Sequence, residues 1–154
     1  MKNEYEISLL SSIDQSILGE LDEASISPEV RRQAAHPYNM RSLDVPDGQS
    51  SLTGICEDTI GIELHLDGTS VVDVCFQARG CGFTLACGSA ATELIRGKEL
   101  KEAFALDGKK IAEVLGGLPR EHMHCADLAA NAVQAALHDA LTKRREPWKR
   151  IFEK

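Results

Sequence analysis

Five cysteines stand in this chain of 154 residues, and three of them, Cys56, Cys81 and Cys125, sit where sulfur chemistry is easiest to build. Cys81 lies between Gly80 and Gly82, at the point where an alternating apolar pattern hands over to a helical one. Cys125 follows His124 at the start of the last helical pattern, and Cys56 closes the first extended run. Amide groups and the helix dipole at a helix N-terminus favour the thiolate, the form that binds metal and attacks sulfur. Asp58 and His124 add a carboxylate and an imidazole next to two of these sulfurs. Thiolates suit zinc and iron–sulfur clusters, and imidazole or carboxylate can complete a four-coordinate set. Spacing does not choose between these metals: no two of the three cysteines form a Cys-x-x-Cys pair, and their gaps match no zinc-finger rule.

The elements that must bring these residues together can be read from periodicity. Ile7, Leu10, Ile17 and Leu21 predict an amphipathic helix over 4–23. Ser27 can cap a second helix with Pro28 at its first position, running to about Ala35 and ended by His36-Pro37. Residues 36–50, rich in Pro, Asn, Asp, Gly and Ser, read as a loop. A short strand is expected over 51–56. Ile60, Ile62, Leu64 and Leu66 then alternate with polar residues as a half-buried strand, and Asp67-Gly68 signals a hairpin turn. The third strand is expected to place Val72, Val74, Phe76 and Ala78 on its apolar face, and Asp73, Cys75, Gln77 and Arg79 on the other.

From there the pattern is helical. A stripe of Phe83, Cys87, Ala90 and Leu94 predicts a helix over 82–96, stopped by Gly97. Shorter helices are expected near 99–105 and 108–115, and Gly116-Gly117-Leu118-Pro119 breaks the chain. A long alanine-rich helix starts near His124, and Lys143, Arg144 and Arg145 sit in its last turn before Pro147. The fold class is therefore α+β: a three-stranded antiparallel sheet with helices packed on one face, plus an extra N-terminal helix. Such a layout puts strand ends and helix starts on one rim, where Cys56, Cys81 and Cys125 can meet.

Composition sets the bounds. The formal charge of −7 argues against a nucleic-acid backbone as partner. No stretch approaches the roughly 20 apolar residues that span a bilayer, and no secretory signal is read at the amino end, so a cytoplasmic location and no membrane partner are expected. An odd number of cysteines in a reducing compartment points to metal or thiol chemistry before disulfides.

In order and context these residues resemble the IscU family of iron–sulfur scaffolds, which also forms the amino-terminal domain of NifU. The resemblance covers about residues 27–146, leaving 1–26 as an N-terminal helical extension and 147–154 as a tail. It rests on His36-Pro37-Tyr38-Asn39, on Cys56-Glu57-Asp58 where the family has Cys-Gly-Asp, and on Gly80-Cys81-Gly82. It continues through a small-residue helix ending Thr92-Glu93-Leu94-Ile95-Arg96-Gly97-Lys98, and then Leu118-Pro119 and His124-Cys125. The resemblance implies a SufE/NifU-like α+β scaffold rather than an enzyme. On that resemblance it is expected to take sulfur from a cysteine desulfurase, assemble a [2Fe–2S] cluster with iron, and pass it to apo acceptor proteins. The residues matching those roles are Cys56, Asp58, Cys81, His124 and Cys125, with Cys125 as first persulfide acceptor and Asp58 tuning lability. Zinc can occupy the same site, and a homodimer is compatible.

The sequence also departs from the family pattern. Glu57 replaces the usual glycine, and Cys87 replaces a small polar residue. Leu118-Pro119-Arg120-Glu121-His122 differs from the Leu-Pro-Pro-Val-Lys motif gripped by a dedicated Hsp70 chaperone, which counts against that partner. A zinc-dependent sulfur-transfer role, as in the related SufU group, is the alternative; SufU proteins carry an insertion between the second and third cysteines that this chain lacks. Of the remaining residues, Cys87 is expected in the core, Cys75 on a polar strand face, and His65 and His138 in solvent. His122 stands close enough to replace His124, though the resemblance favours His124.

Overall fold

The computed structural model describes residues 26–146. The helix expected over 4–23 and the tail over 147–154 lie outside the described residues. Helix α1, Pro28–Ala35, starts as its residues dictate: Pro28 occupies the first turn, and the Ser27 hydroxyl oxygen accepts from the Val30 amide at 3.0 Å. The same hydroxyl donates to the Leu115 carbonyl, which ties this helix start to a distant part of the chain.

The sheet has the order β1-β2-β3 and is antiparallel throughout, with β1 Gly48–Thr53, β2 Thr59–Asp67 and β3 Ser70–Arg79. Gly68 closes the β2–β3 hairpin at φ +60, a left-handed conformation that glycine adopts without a steric penalty. β1 begins and ends earlier than its sequence suggests, and so corrects the placement of Cys56. Gly48, Gln49 and Ser50 have little strand propensity of their own. They are extended because β2 pairs with them and because the last helix lies against them. A Cβ on Gly48 would stand 2.2 Å from the Ala136 carbonyl oxygen, and the Ser50 hydroxyl donates to Ala132 O at 2.6 Å. Pairing stops at Thr53 opposite Thr59, and Cys56 is left in the turn between the strands.

The third strand carries a second correction. Partners shift between His65, opposite Asp73, and Leu66, opposite Val71, so Val72 is the extra residue of a β-bulge. An extra residue offsets the face pattern on one side of the bulge from that on the other, so the residues before Val72 take the opposite alternation to those after it. Val71 is therefore fully buried, and Val72, expected in the core, is 47% exposed.

The helices are α2 Gly82–Ile95, α3 Leu100–Phe104, α4 Gly108–Val114 and α5 Met123–Arg145, with a 3-10 turn over Arg120–His122. Helix α2 packs on β3, α1 and α5, and α5 runs beneath β1 and β2. With neighbours around most of its circumference, α2 is buried from Gly82 to Thr92 and carries no single apolar stripe. Gly88 permits the contact with the sheet, since a Cβ there would lie 2.5 Å from the Phe76 ring. Ile60, Ile62, Leu64, Val74 and Phe76 form the inner face of the sheet and are fully buried. Each such side chain removed from water contributes about 1.5–3 kcal/mol.

On the outer face a loop crosses β3. Asn39 O accepts from the Phe76 amide at 3.0 Å, and Arg41 O from the Gln77 side chain at 2.8 Å. Beneath it Cys75, expected on the polar face of its strand, is fully buried. No helix among the described residues is long and apolar enough to cross a membrane.

Candidate metal centre

Three element ends converge at one rim. The pairing of Thr59 with Arg79 sets Asp58 beside Gly80. A Cβ on Gly80 would stand 2.7 Å from the Asp58 carboxyl carbon and 2.8 Å from Thr84 Oγ1, so glycine is what lets the β3–α2 corner close on the carboxylate. Cys81 is the N-cap of α2, and its carbonyl accepts from the amides of Thr84 and Leu85 at 3.0 and 3.2 Å. The packing of α5 against α2 brings Cys125, in the first turn of α5, to the same place.

Thr84 is the hub. Its hydroxyl donates to Asp58 Oδ2 at 2.7 Å and lies 3.6 Å from Cys81 Sγ and 3.7 Å from Cys125 Sγ. His124 Nε2 is 3.6 Å from Cys125 Sγ. His122 stacks on Phe83 with ring centroids 3.9 Å apart and planes inclined by 14°. Two sets of donor atoms are grouped tightly enough to share an ion: Cys81, His122 and Cys125 form one, and Asp58, His124 and Cys125 the other, each within 4.8 Å. Sulfur, imidazole and carboxylate together suit zinc or ferrous iron better than magnesium or calcium, which prefer oxygen donors.

The sulfurs differ in protonation. The Cys125 thiol donates to Cys81, and the amides of Thr84 and Phe83 add to this, holding the Cys81 pKa down at about 5 against the effect of burial. Cys125 is pushed the other way by the same hydrogen bond and by its own burial. The pair thus rests as a thiolate at Cys81 and a thiol at Cys125. Burial raises Cys87 well above an ordinary thiol and pushes Cys75 up to about 12, so neither is poised to react.

Of the residues singled out in the sequence, Asp58, Cys81, His124 and Cys125 are brought together. Cys56 is not: it is exposed in the turn over 54–58, outside both donor groups. That turn is closed by Gly54 N donating to Asp58 O at 2.8 Å and by Glu57 N donating to Gly54 O at 3.1 Å. Glu57 adopts φ +65 there, so the position that is glycine in the resembled family has a backbone suited to glycine in this chain too. Cys87 is in the core, as its stripe implies. His138 is in solvent against Phe104, and His65 is half-buried with its ring on the carbonyls of Asp44 and Val45. Sequence reasoning missed Thr84. Its signal was present: three residues after an N-cap, a side chain faces back toward the cap.

A family model described as the NifU-like N terminal domain matches residues 26–147. An Archaeoglobus fulgidus protein called iron–sulfur cluster assembly scaffold protein IscU 1 is 35% identical over 109 residues, covering 70% of this chain and 71% of that one. The Haemophilus influenzae iron–sulfur cluster assembly scaffold protein IscU is 35% identical over 114 residues, covering 71% of this chain and 90% of its own. The crystal structure of a NifU-like N-terminal domain from Brucella abortus shares the fold with a TM-score of 0.59 at 16% identity, covering 75% of this chain and 94% of that one. The match along most of the chain, with the donor residues gathered at one rim, establishes that this chain belongs to the NifU N-terminal domain and IscU family.

Proposed function

We propose that this chain is a scaffold on which an iron–sulfur cluster is assembled and from which it is handed on. The single observation that carries this reading is the convergence of Asp58, Cys81, His124 and Cys125 on one rim in a chain of this family. Cys56 is the third sulfur ligand in this reading. It stands two residues before Asp58, on a short exposed turn whose rearrangement would carry its sulfur to the rim. The cluster is cargo, of the [2Fe–2S] type, with sulfur supplied by a cysteine desulfurase and apo iron–sulfur proteins as recipients. Free thiols at all five described cysteines suit a reducing, cytoplasmic setting.

The resemblance gives the first sulfur to Cys125. Its burial and its protonated state weigh against that order, because an incoming persulfide needs an accessible nucleophile. Cys56, already in solvent, is the better first acceptor, with Cys125 joining once the rim opens. The altered segment before His124 weighs against the dedicated chaperone, since its sequence differs from the recognised motif and His122 is engaged in stacking on Phe83.

Anaerobic reconstitution with ferrous iron, cysteine and a desulfurase, read by visible absorption and Mössbauer spectroscopy, tests the reading. A [2Fe–2S] product transferable to an apo-ferredoxin is the expected result. Asp58→Ala should lengthen the cluster's lifetime, and an unchanged lifetime would remove Asp58 from the lability role. One observation favours a second reading, zinc-dependent sulfur transfer: Cys56 lies apart from the donor groups, as a free sulfur acceptor beside a bound ion would. A colourless zinc-only product that still stimulates the desulfurase would decide for it.

A further inference from the structure

His122 carries an unusual signature. Its Nδ1 is buried and makes no hydrogen bond, one of two such side-chain atoms among the described residues. A buried polar atom without a partner is costly and rare in a native structure. The ring is not loosely placed: it stacks nearly parallel on Phe83, itself fully buried in the first turn of α2, one residue after Gly82. This fixes the imidazole plane on the side of the helix where the Cys81 sulfur lies. A ring nitrogen of His122 stands within 4.8 Å of the sulfurs of both Cys81 and Cys125, while His124 belongs to the other donor group, with Asp58. The 3-10 turn over Arg120–His122 delivers the ring, so its position is set by backbone as well as by stacking.

We propose that His122 is a metal ligand in its own right, and that Cys81, Cys125 and His122 hold a single zinc ion. Two sulfurs and one imidazole form a common three-ligand zinc set, leaving the fourth position to a donor from the Asp58–His124 side or to water. The two donor groups share only Cys125. Zinc seated with His122 occupies the sulfurs of Cys81 and Cys125, so a cluster built on those two sulfurs must displace it. The inference deepens the scaffold reading by naming a ligand in the same site, but it concerns zinc alone.

The test titrates the full-length apo chain with zinc against a chromophoric chelator, with no iron, sulfide or desulfurase present. Failure of cluster assembly and failure of this inference are thus seen in separate experiments. His122→Phe keeps the stacked ring and removes the nitrogens. Its zinc affinity should fall by about tenfold or more, the scale on which supports of a metal site are felt. The apo variant should melt no lower than the wild type, because the orphaned nitrogen is gone. Nitrogen-15 NMR of the unaltered chain gives a readout independent of folding in the variant: zinc should move one ring nitrogen of His122 out of the free-imidazole range. Unchanged affinity in His122→Phe, with the loss found in His124→Phe, would overturn the proposal. So would His122 nitrogen shifts that stay put at saturating zinc.

Discussion

Cys81 and Cys125 are the same residue type a few ångströms apart, yet the fold gives them opposite protonation. Cys81 caps a helix and receives hydrogen bonds, while Cys125 donates one. A depressed pKa keeps Cys81 a thiolate as pH falls, until its folded-state value near 5 is reached. In the metal-free protein, alkylation of Cys81 by iodoacetamide should therefore vary little between about pH 6 and 8, where an ordinary thiol slows almost tenfold per unit. Peptide mass spectrometry after short pulses measures this, and a tenfold-per-unit slope at Cys81 would refute the thiolate assignment. Glu57 poses a different residue-scale question, since a non-glycine side chain at φ +65 costs roughly 1 kcal/mol. Glu57→Gly removes that strain and loosens the unfolded chain. Thermal unfolding should show a stabilisation of up to about 1 kcal/mol, and a clear loss would mean that Glu57 makes compensating contacts.

At the scale of elements, the β2–β3 hairpin shows how one extra residue redirects a strand. Alternation read from the sequence places Val72 inside, and the bulge places Val71 there. Val71→Ala should cost about 2 kcal/mol in chemical denaturation, because it opens a cavity in a packed core. Val72→Ala should change stability by less than about 0.5 kcal/mol, as exposed substitutions do. Equal effects would argue against the bulge. The register downstream decides the site as well, because it sets Thr59 opposite Arg79 and hence Asp58 beside Gly80. Helix α2 is the other deciding element. Gly88 brings it onto Phe76, and its N-terminus then falls where α5 begins.

For the whole molecule, the donor groups lie at the junction of elements distant in sequence: the start of β2, the β3–α2 corner and the start of α5. An ion bound there links the sheet to both long helices and binds the folded state only. Ligand at a hundred times its dissociation constant stabilises by about 2.7 kcal/mol. Saturating zinc should therefore raise the melting temperature of the apo protein by several degrees, and Cys81→Ser should lose most of that rise. A zinc-independent melting curve in the wild type would show that the ion does not bind across these elements.

Much of this was legible without coordinates. Local signals dictated α1, because Ser27, Pro28 and His36-Pro37 act within a few residues of themselves. The β2 alternation, the Asp67-Gly68 turn and the long α5 are equally local, and the ordered pieces around Cys56, Cys81 and Cys125 carried the family. Tertiary structure alone decided the rest. The early start of β1 depends on pairing with β2 and on the close approach of α5 to Gly48. The burial of Cys75 depends on a loop that crosses from residues 39–43. The hydrogen bond of Thr84 to Asp58, the placement of His122 beside Cys81 and Cys125, and the position of Cys56 outside both donor groups depend on where three remote element ends meet. Periodicity reports which face of an element turns from water. It carries no information about what arrives on the other side, and a metal centre is made of such arrivals.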